Sequence, residues 1–332
     1  MTQVVFDKPQ EHMGLPLPHG KVAMWLFLVT EIMFFTALIG VYIILRHGTP
    51  ANSPFTWPAP HQVHLVEWIG ALNTFVLICS SFTVVMAHHA AVKGNMKNVT
   101  TYIGITLALG ALFLGIKAYE YNAKFQHDIL PGHIGESLPI PAKGEHQDGF
   151  SLSDLQAIQR EKNSNPTGMQ YVHRVTDQLN AIIADAGADA KLKEDCAALV
   201  DEMRFKTAGV DEKTGKPVLG RDGQPLTGYQ APLSPGEVGE RVNHILHEHE
   251  AKEPHLTPAI PFGNLWASCY FAMTGFHALH VFGGIVIFVI ILLMGLIGKL
   301  GPQHASLLEL TGLYWHFVDI VWIFLFPLLY LV

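Results

Sequence analysis

The chain has 332 residues, of which 49% are hydrophobic and 15% are charged, with a formal net charge of −7. This acidic balance argues against a nucleic-acid partner, and the composition fits either a large soluble domain or a group of membrane helices. The distribution of charge along the chain distinguishes these two classes of protein. Residues 125–261 hold 13 of the 21 Lys and Arg and 21 of the 28 Asp and Glu. The chain is therefore apolar material interrupted by one acidic segment.

Five apolar runs each exceed the roughly 20 residues that a helix needs to cross a bilayer. They are Lys21–Leu45, Leu65–Ala87, Val99–Tyr121, Phe262–Leu296 and Ser306–Val332. We predict an all-α membrane protein, a bundle of five transmembrane helices with a mostly helical extramembrane insert. The alternative, buried helices of a large soluble protein, is disfavoured by the run lengths. The predicted parts are a cytoplasmic N-terminal tail without a signal peptide (1–20), helices one to three (21–124), an acidic extracytoplasmic insert (125–261) and helices four and five (262–332).

The first helix carries Glu31 near the middle of its apolar run. Ionising a lone carboxyl in a low dielectric is costly, so Glu31 needs a polar partner or a proton. The sequence leaves three interpretations open: a proton-relay site, a hydrogen-bond anchor to another helix, or a neutral acid bonded to a threonine or a backbone carbonyl.

The second helix contains Leu72–Thr74 and Ser80–Ser81, polar groups suited to interhelical hydrogen bonds. It ends at His88 and His89, which point to different sides of a helix, so an interfacial cap is favoured over a metal site.

The third helix contains Gly104, Gly110 and Gly115, which favour close helix approach. Near its end, Lys117 and Glu120 lie among tyrosines, a pattern typical of an interfacial belt.

Basic residues near the ends of the helices indicate an orientation. Lys8, Lys21, Lys93, Lys97 and Lys299 fall on the side of the N-terminus, against Arg46, Lys117 and Lys124 opposite. The positive-inside rule then predicts a cytoplasmic N-terminus, with the insert and the C-terminus outside.

The insert shows helical apolar spacing over Val172–Phe205, broken by Gly187, and a capping sequence at Ser151–Asp154. Asp211–Lys216 and Arg221–Gln224 are turn sequences of a hairpin type. We predict two or three helices and a hairpin on the membrane surface.

A histidine-rich run and three cysteines raise the question of a metal site and of a disulfide. His244, His247 and His249 form a tempting metal motif, but His249 points away from the other two, and a solvated polar segment is favoured. No structural disulfide is predicted among the three cysteines, Cys79, Cys196 and Cys269.

The last two helices carry the remaining ionisable groups at spacings of three and seven residues. These groups are His277 and His280 on helix four, and Glu309, His316 and Asp319 on helix five. Each set shares one face of its helix, so the two faces could meet. The residues alone support a buried metal or haem site, a hydrogen-bonded lattice, or the proton path of a small transporter.

Two motifs carry a resemblance to a known family, Thr274–Val281 (Thr-Gly-Phe-His-Ala-Leu-His-Val) and Tyr314–Trp322 (Tyr-Trp-His-Phe-Val-Asp-Ile-Val-Trp). Together they resemble subunit III of the haem–copper terminal oxidases, the cytochrome c oxidase family. The resemblance extends, in the family's order, over four more segments: Thr30–Phe35, Leu72–Thr74, Ala87–His89 and Glu120–Tyr121.

The resemblance implies a subunit without a catalytic or metal site, whose histidines and acidic residues make structural and lipid contacts. Haem and copper then reside in partner subunits I and II of an enzyme that reduces oxygen with electrons from cytochrome c or quinol and pumps protons. Glu31 matches the family's buried glutamate near the contact with subunit I, and Lys21 matches a basic interfacial residue. A bound phospholipid and a bacterial inner-membrane location are expected.

The sequence departs from the family's pattern in two ways. Many members have seven helices, so we expect another chain to complete the lipid cleft, and the hypothesis is that two extra helices of subunit I do so. The insert replaces a short connection, and two hypotheses stand for it: recruitment of basic cytochrome c by negative charge, or a subunit-contact or solubilising domain.

Overall fold

The computed structural model describes residues 19–49, 57–135, 166–230, 232–252 and 254–331. Within these ranges the chain is mostly helical. In chain order the helices are α1 (His19–His47), α2 (Glu67–Val92), α3 (Met96–Gln126), α4 (Pro166–Ala184), α5 (Ala190–Glu202), α6 (Pro235–Glu248), α7 (Gly263–Leu296) and α8 (Ala305–Phe326). A π-helical turn, Pro327–Leu331, extends α8.

Five of these helices, α1, α2, α3, α7 and α8, are long and apolar enough to span a membrane. Their outer faces keep large apolar side chains exposed, among them Leu26, Met33, Trp68 and Phe82. Apolar surface on this scale marks contact with lipid or with other proteins. The predicted class, an all-α membrane protein with five spanning helices, is confirmed.

The chain divides into two compact units, to which each long helix contributes residues. The first is formed by residues up to Ala37, Thr74–Leu112 and His277–Ile323. The second is formed by Leu38–Asn73, Phe113–Phe276 and Phe324–Val332.

Trp315 of α8 is fully buried in the first unit and packs against glycines of two other helices. A Cβ atom added to Gly284 of α7 would lie 2.6 Å from the indole ring, and one added to Gly110 of α3 would lie 3.0 Å from it. Close approach at Gly110 is thus confirmed. Gly115, also predicted to permit close approach, has no such neighbour, since a Cβ added there meets nothing within 4 Å.

In the second unit, α4, α5 and α6 pack around a small apolar core of their own. The core includes Tyr171, Val175, Leu179, Leu192, Cys196, Leu199, Val238, Val242 and Ile245. Asp189 caps α5 by accepting hydrogen bonds from the backbone of Lys191 and Leu192, and Ser234 forms a capping box with Glu237 at the start of α6. The helical insert is confirmed, and so is the break near Gly187, because α4 ends at Ala184 and α5 begins at Ala190.

The predicted turn sequences are also confirmed. Antiparallel bridges join Val210 to Pro217 and Leu219 to Pro225, one across each turn. Strands β1 (Lys206–Thr207) and β2 (Tyr229–Gln230) pair antiparallel at the base of this segment. The predicted cap at Ser151–Asp154 lies outside the described residues.

The segments that lead into and out of the insert run side by side. Gly135 and Ala259 form a parallel bridge, and the Ile260 amide donates to the Gly135 carbonyl at 2.9 Å. The Asn264 side chain accepts from the Ile134 amide at 3.1 Å and donates to its carbonyl at 2.9 Å. The insert is therefore closed at its base by backbone and amide hydrogen bonds.

Candidate functional site

Glu31 of α1 and His280 of α7 meet in the first unit. Glu31 Oε2 lies 3.0 Å from His280 Nε2, and the two side chains are only 20% and 15% exposed. The Phe35 ring packs edge-on against the imidazole with ring centroids 5.3 Å apart, and the Tyr314 hydroxyl donates to the His280 carbonyl at 2.9 Å. Of the three interpretations that the sequence left open for Glu31, the geometry favours a hydrogen-bond anchor between helices.

A carboxyl and an imidazole at this distance can share one proton. Whether the proton sits on Glu31 or on His280, the pair stays net neutral with respect to its surroundings, and one group donates while the other accepts. A neutral pair avoids most of the cost of an isolated charge among apolar helices. The arrangement therefore suits a structural contact, and the same hydrogen bond is also able to pass a proton between its two atoms.

His277 contacts one partner in the first unit, and His316 and Asp319 share another. His277 Nε2 lies 3.0 Å from the Val318 carbonyl oxygen, and His316 Nδ1 lies 2.5 Å from the Ser81 hydroxyl of α2. Asp319 is 6% exposed and also faces Ser81. The sequence placed these groups on shared helix faces, and the structure distributes them over contacts of α8 with α7 and α2.

Two indole groups extend this lattice between α8 and α2. Trp315 Nε1 donates to the Ser80 hydroxyl at 2.9 Å, and Trp322 Nε1 donates to the Thr74 hydroxyl at 3.0 Å. The predicted interhelical role of Thr74, Ser80 and Ser81 is thereby met. Asn73 differs, because its buried amide has no hydrogen-bond partner among the described residues.

Lys21 of α1 and Glu309 of α8 form an ion pair of 2.6 Å with both side chains about one-third exposed. Beside it, Glu309 and His316 line a small cavity of about 130 Å³ together with His88. His89 does not line that cavity and is exposed in the last turn of α2. Lys21, His88, Glu309 and His316 are thus close neighbours.

A second polar cluster lies in the second unit, around Lys117 and Glu120 of α3. Their ion pair is 2.9 Å long, with side chains 4% and 9% exposed. Lys117 also donates to the hydroxyls of Tyr270 and Tyr330 at 3.1 Å each, and both hydroxyls donate to Glu120. The interfacial belt expected here is wrong for this pair, because Tyr270 of α7 and Tyr330 of the turn after α8 cover both groups. Glu120, expected as a polar group at the helix end, lies six residues before the last residue of α3.

Lys124 extends this cluster by two helical turns from Lys117. Its side chain is fully buried, donates to the Val63 carbonyl, and lies 5.7 Å from the ring centroids of Trp266 and Tyr270. Beyond the helix, burial together with His127 and Lys124 lowers the pKa of His64 to about 4, so this imidazole is neutral at physiological pH. His64 stacks on His127 with 4.0 Å between ring centroids.

The buried cluster is the polar site that the sequence interpretation missed. A signal for it exists, because Lys117, Glu120 and Lys124 are spaced three and four residues apart, which puts them on one face of an otherwise apolar helix. Ionisable residues on one face of a spanning helix usually face the interior. Nothing in the local sequence identifies Tyr270 and Tyr330 as partners.

Two further sequence expectations concern the cysteines and the histidines of the insert. All three cysteines are free thiols, and burial beside Asp195 raises the pKa of the Cys196 thiol to about 11. The solvated segment expected at His244–His249 is correct for His247, which is exposed, but wrong for His249, which is 3% exposed and lies 2.8 Å from Asp195.

We predict that Glu31 and His280 are energetically coupled. In a double-mutant cycle of Glu31→Ala and His280→Ala, the coupling free energy should be about 1 kcal/mol, the size of an interhelical hydrogen bond in a membrane protein. Equilibrium unfolding in mixed detergent micelles measures it. Strictly additive effects of the two substitutions would show that the contact contributes nothing.

We further predict that Lys117→Met lowers the free energy of unfolding by about 3 kcal/mol, because it leaves Glu120 charged and buried without a cation. Adding Glu120→Gln should recover most of this loss, since the amide oxygen still accepts from both tyrosines. Tyr119→Phe, at a side chain that is 69% exposed, is the matched control. A double variant no more stable than Lys117→Met alone would contradict the argument.

Comparison with known proteins places these contacts in a family. The profile of the family described as "Cytochrome c oxidase subunit III" matches residues 14–134 and 255–332, more than half of the chain. A probable cytochrome c oxidase subunit 3 of Rickettsia bellii is 34% identical over 36% of this chain and 47% of its own length. The corresponding protein of Nocardia farcinica is 45% identical over 28% and 42%, and that of Thermostichus vulcanus is 46% identical over 20% and 34%.

The matched stretches thus span less than half the length of these curated relatives. The family match itself covers all five long helices and both polar clusters, and it leaves residues 135–254 of the insert unmatched. The chain belongs to the cytochrome c oxidase subunit III family of multi-pass membrane proteins.

Proposed function

We propose that this chain is the non-redox subunit III of a haem–copper terminal oxidase. The assembly would reduce oxygen with electrons from cytochrome c and couple the reaction to proton pumping, with subunits I and II as partners. The relatives reported above all carry the name cytochrome c oxidase subunit 3, so the quinol oxidase alternative is not favoured.

The observation that carries this proposal is the way the intramembrane imidazoles are engaged. A copper centre in a protein gathers ring nitrogens of more than one histidine around one ion. His277 and His280 instead direct Nε2 at a backbone carbonyl and at Glu31, and His316 directs Nδ1 at Ser81. These contacts suit structural groups, so in our proposal the redox centres lie in subunits I and II.

The proposed role is to support subunit I through helix contacts and bound lipid. Large apolar side chains line the exposed face of α1, the helix that carries Glu31, and offer a surface for another membrane subunit. A cleft of about 610 Å³ between α3 and α7 has leucine walls, and Lys97, Thr100 and Thr101 also line it. Apolar walls with a cation suit a phospholipid, the acyl chain along the leucines and the phosphate at Lys97.

The proposed orientation has the N-terminus in the cytoplasm of a bacterial cell, with the insert and C-terminus outside. Lys93, Lys97 and Lys299 stand at helix ends on the N-terminal side. On the other side, Lys117 and Lys124 are buried and engaged in hydrogen bonds, so they add little charge to that interface. The asymmetry that the positive-inside rule requires is therefore sharper than the sequence count alone.

The test is affinity purification of the tagged chain from its native membranes in mild detergent. We expect haem absorbance and two larger polypeptides, subunits I and II, in constant ratio to this chain. Membranes that hold the untagged chain are the control. A chain that elutes alone, colourless and stable would overturn the proposal.

We propose in addition that the acidic insert helps to recruit cytochrome c. Residues 125–261 carry the charge excess described above, and Glu194, Glu212 and Glu240 are exposed among the described acidic side chains. Opposite charge on two partners raises the association rate and makes it sensitive to salt.

Replacing these three glutamates by glutamine should raise the KM for a basic cytochrome c several-fold at low ionic strength and flatten its salt dependence. Steady-state oxidase assays over a range of salt measure both. Lys213→Gln, an exposed change of opposite sign, should lower KM slightly. Identical salt profiles for all variants would favour the subunit-contact role of the insert.

A further inference from the structure

A cluster of one imidazole and two carboxylates lies in the insert, where α5 passes the end of α6. Asp195 belongs to α5, Glu248 is the last residue of α6 and His249 follows it. One potential ligand atom from each lies within 4.8 Å of the other two. The three residues come from segments more than 50 positions apart, so the tertiary fold assembles the cluster.

His249 is the least exposed member and turns its ligand atom into the cluster. Its side chain is 3% exposed, and Nε2 lies 2.8 Å from Asp195 Oδ2. Asp195 and Glu248 are 31% and 39% exposed, so the cluster is buried on one side and open to solvent on the other. A cation from solvent could therefore reach the two carboxylates, with the His249 ring nitrogen behind them.

A second imidazole and room for water lie next to these residues. His244 Nδ1 is 3.8 Å from Glu248 Oε2, one helical turn earlier on α6. A cavity of about 180 Å³ adjoins the cluster, lined by Asp195, His244 and Glu248 among others. This volume is several times the roughly 30 Å³ that a water molecule occupies in the liquid.

The distances fit a cation after small side-chain adjustments. In a tetrahedral site with ligand bonds of about 2.1 Å, ligand atoms lie about 3.4 Å from one another. The observed separations, from 2.8 Å to at most 4.8 Å, bracket that value. Lys191 lies 4.0 Å from Glu248 but is 66% exposed, so its ammonium group is free to move into solvent when a cation enters.

We propose that Asp195, Glu248 and His249 bind a divalent transition-metal cation, with water completing the coordination. Imidazole together with carboxylate selects zinc and its neighbours, whereas calcium and magnesium prefer oxygen ligands alone. The bound cation would fasten α5 to the end of α6 and so stabilise the insert. The site lies in the unmatched segment and is independent of the proposed oxidase role.

Zinc titration of the purified full-length chain in detergent, with a tag that contains no histidine, tests this inference. Isothermal calorimetry should show one strong site per chain. Asp195→Asn and Glu248→Gln, which keep size and hydrogen bonding, should each weaken it by at least about ten-fold. His247→Gln, an exposed histidine on the same helix, is the matched control and should bind as the wild type does.

A measurement on the wild type alone guards against variants that fail to fold. Zinc should slow hydrogen–deuterium exchange in residues 190–202 and 235–252, and an equal concentration of magnesium should not. The cobalt-loaded chain should show visible absorption that zinc abolishes. Absence of stoichiometric zinc binding, or equal binding by the wild type and both carboxylate variants, would overturn the proposal and leave an ordinary ion pair.

Discussion

An ionisable side chain placed among apolar helices must find a partner within the protein, because neither lipid nor the apolar interior solvates a charge. This constraint determines much of how the long helices associate within each unit. Glu31 pairs with His280 from another helix. Lys117 pairs with Glu120 and donates hydrogen bonds to two tyrosine hydroxyls. The contacts with His280 and with the two tyrosines join segments that are distant in sequence. Polar groups that would each be costly alone therefore hold specific helices together.

Helix α8 shows how the same rule applies to groups without charge. The indole side chains of Trp315 and Trp322 are large and apolar except for one N–H group, and that group donates one hydrogen bond. Ser80 and Thr74 of α2 supply the acceptors, and both hydroxyls lie on the face that α2 turns toward α8. Glycines on the other side of Trp315 remove the bulk that would hold the helices apart. Trp315 therefore both donates an interhelical hydrogen bond and packs closely against neighbouring helices.

The spanning helices were predictable from sequence because a bilayer leaves the backbone few alternatives to a long apolar helix. The bounds differ by a few residues, as at α3, which continues past Tyr121 to Gln126. Spacing along a helix also showed which groups share a face. It carries no information on the partner helix, and for that reason the contact of Glu31 with His280 was not predicted.

The wrong predictions of solvent exposure have the same physical cause, the absence of information on distant partners. Lys117 and Glu120, three apart on a helix, give the same sequence pattern whether they face water or a protein interior. Tyr270 and Tyr330, from distant segments, cover them. His249 stands in a polar run that appears solvated until α5, more than 50 residues earlier, covers it. Burial is decided by segments far along the chain, which local sequence does not reveal.

The hydrogen bonds that join Gly135 to Ile260, and Ile134 to Asn264, have a consequence for the history of the chain. These bonds hold the two ends of the insert next to each other. An insert of almost any length can connect the two ends, since closing a longer loop costs only slightly more entropy. The membrane helices meet the same two anchor points whatever lies between them. A lineage could thus gain, lose or exchange the whole acidic module in a single genetic event while the five-helix scaffold is inherited unchanged.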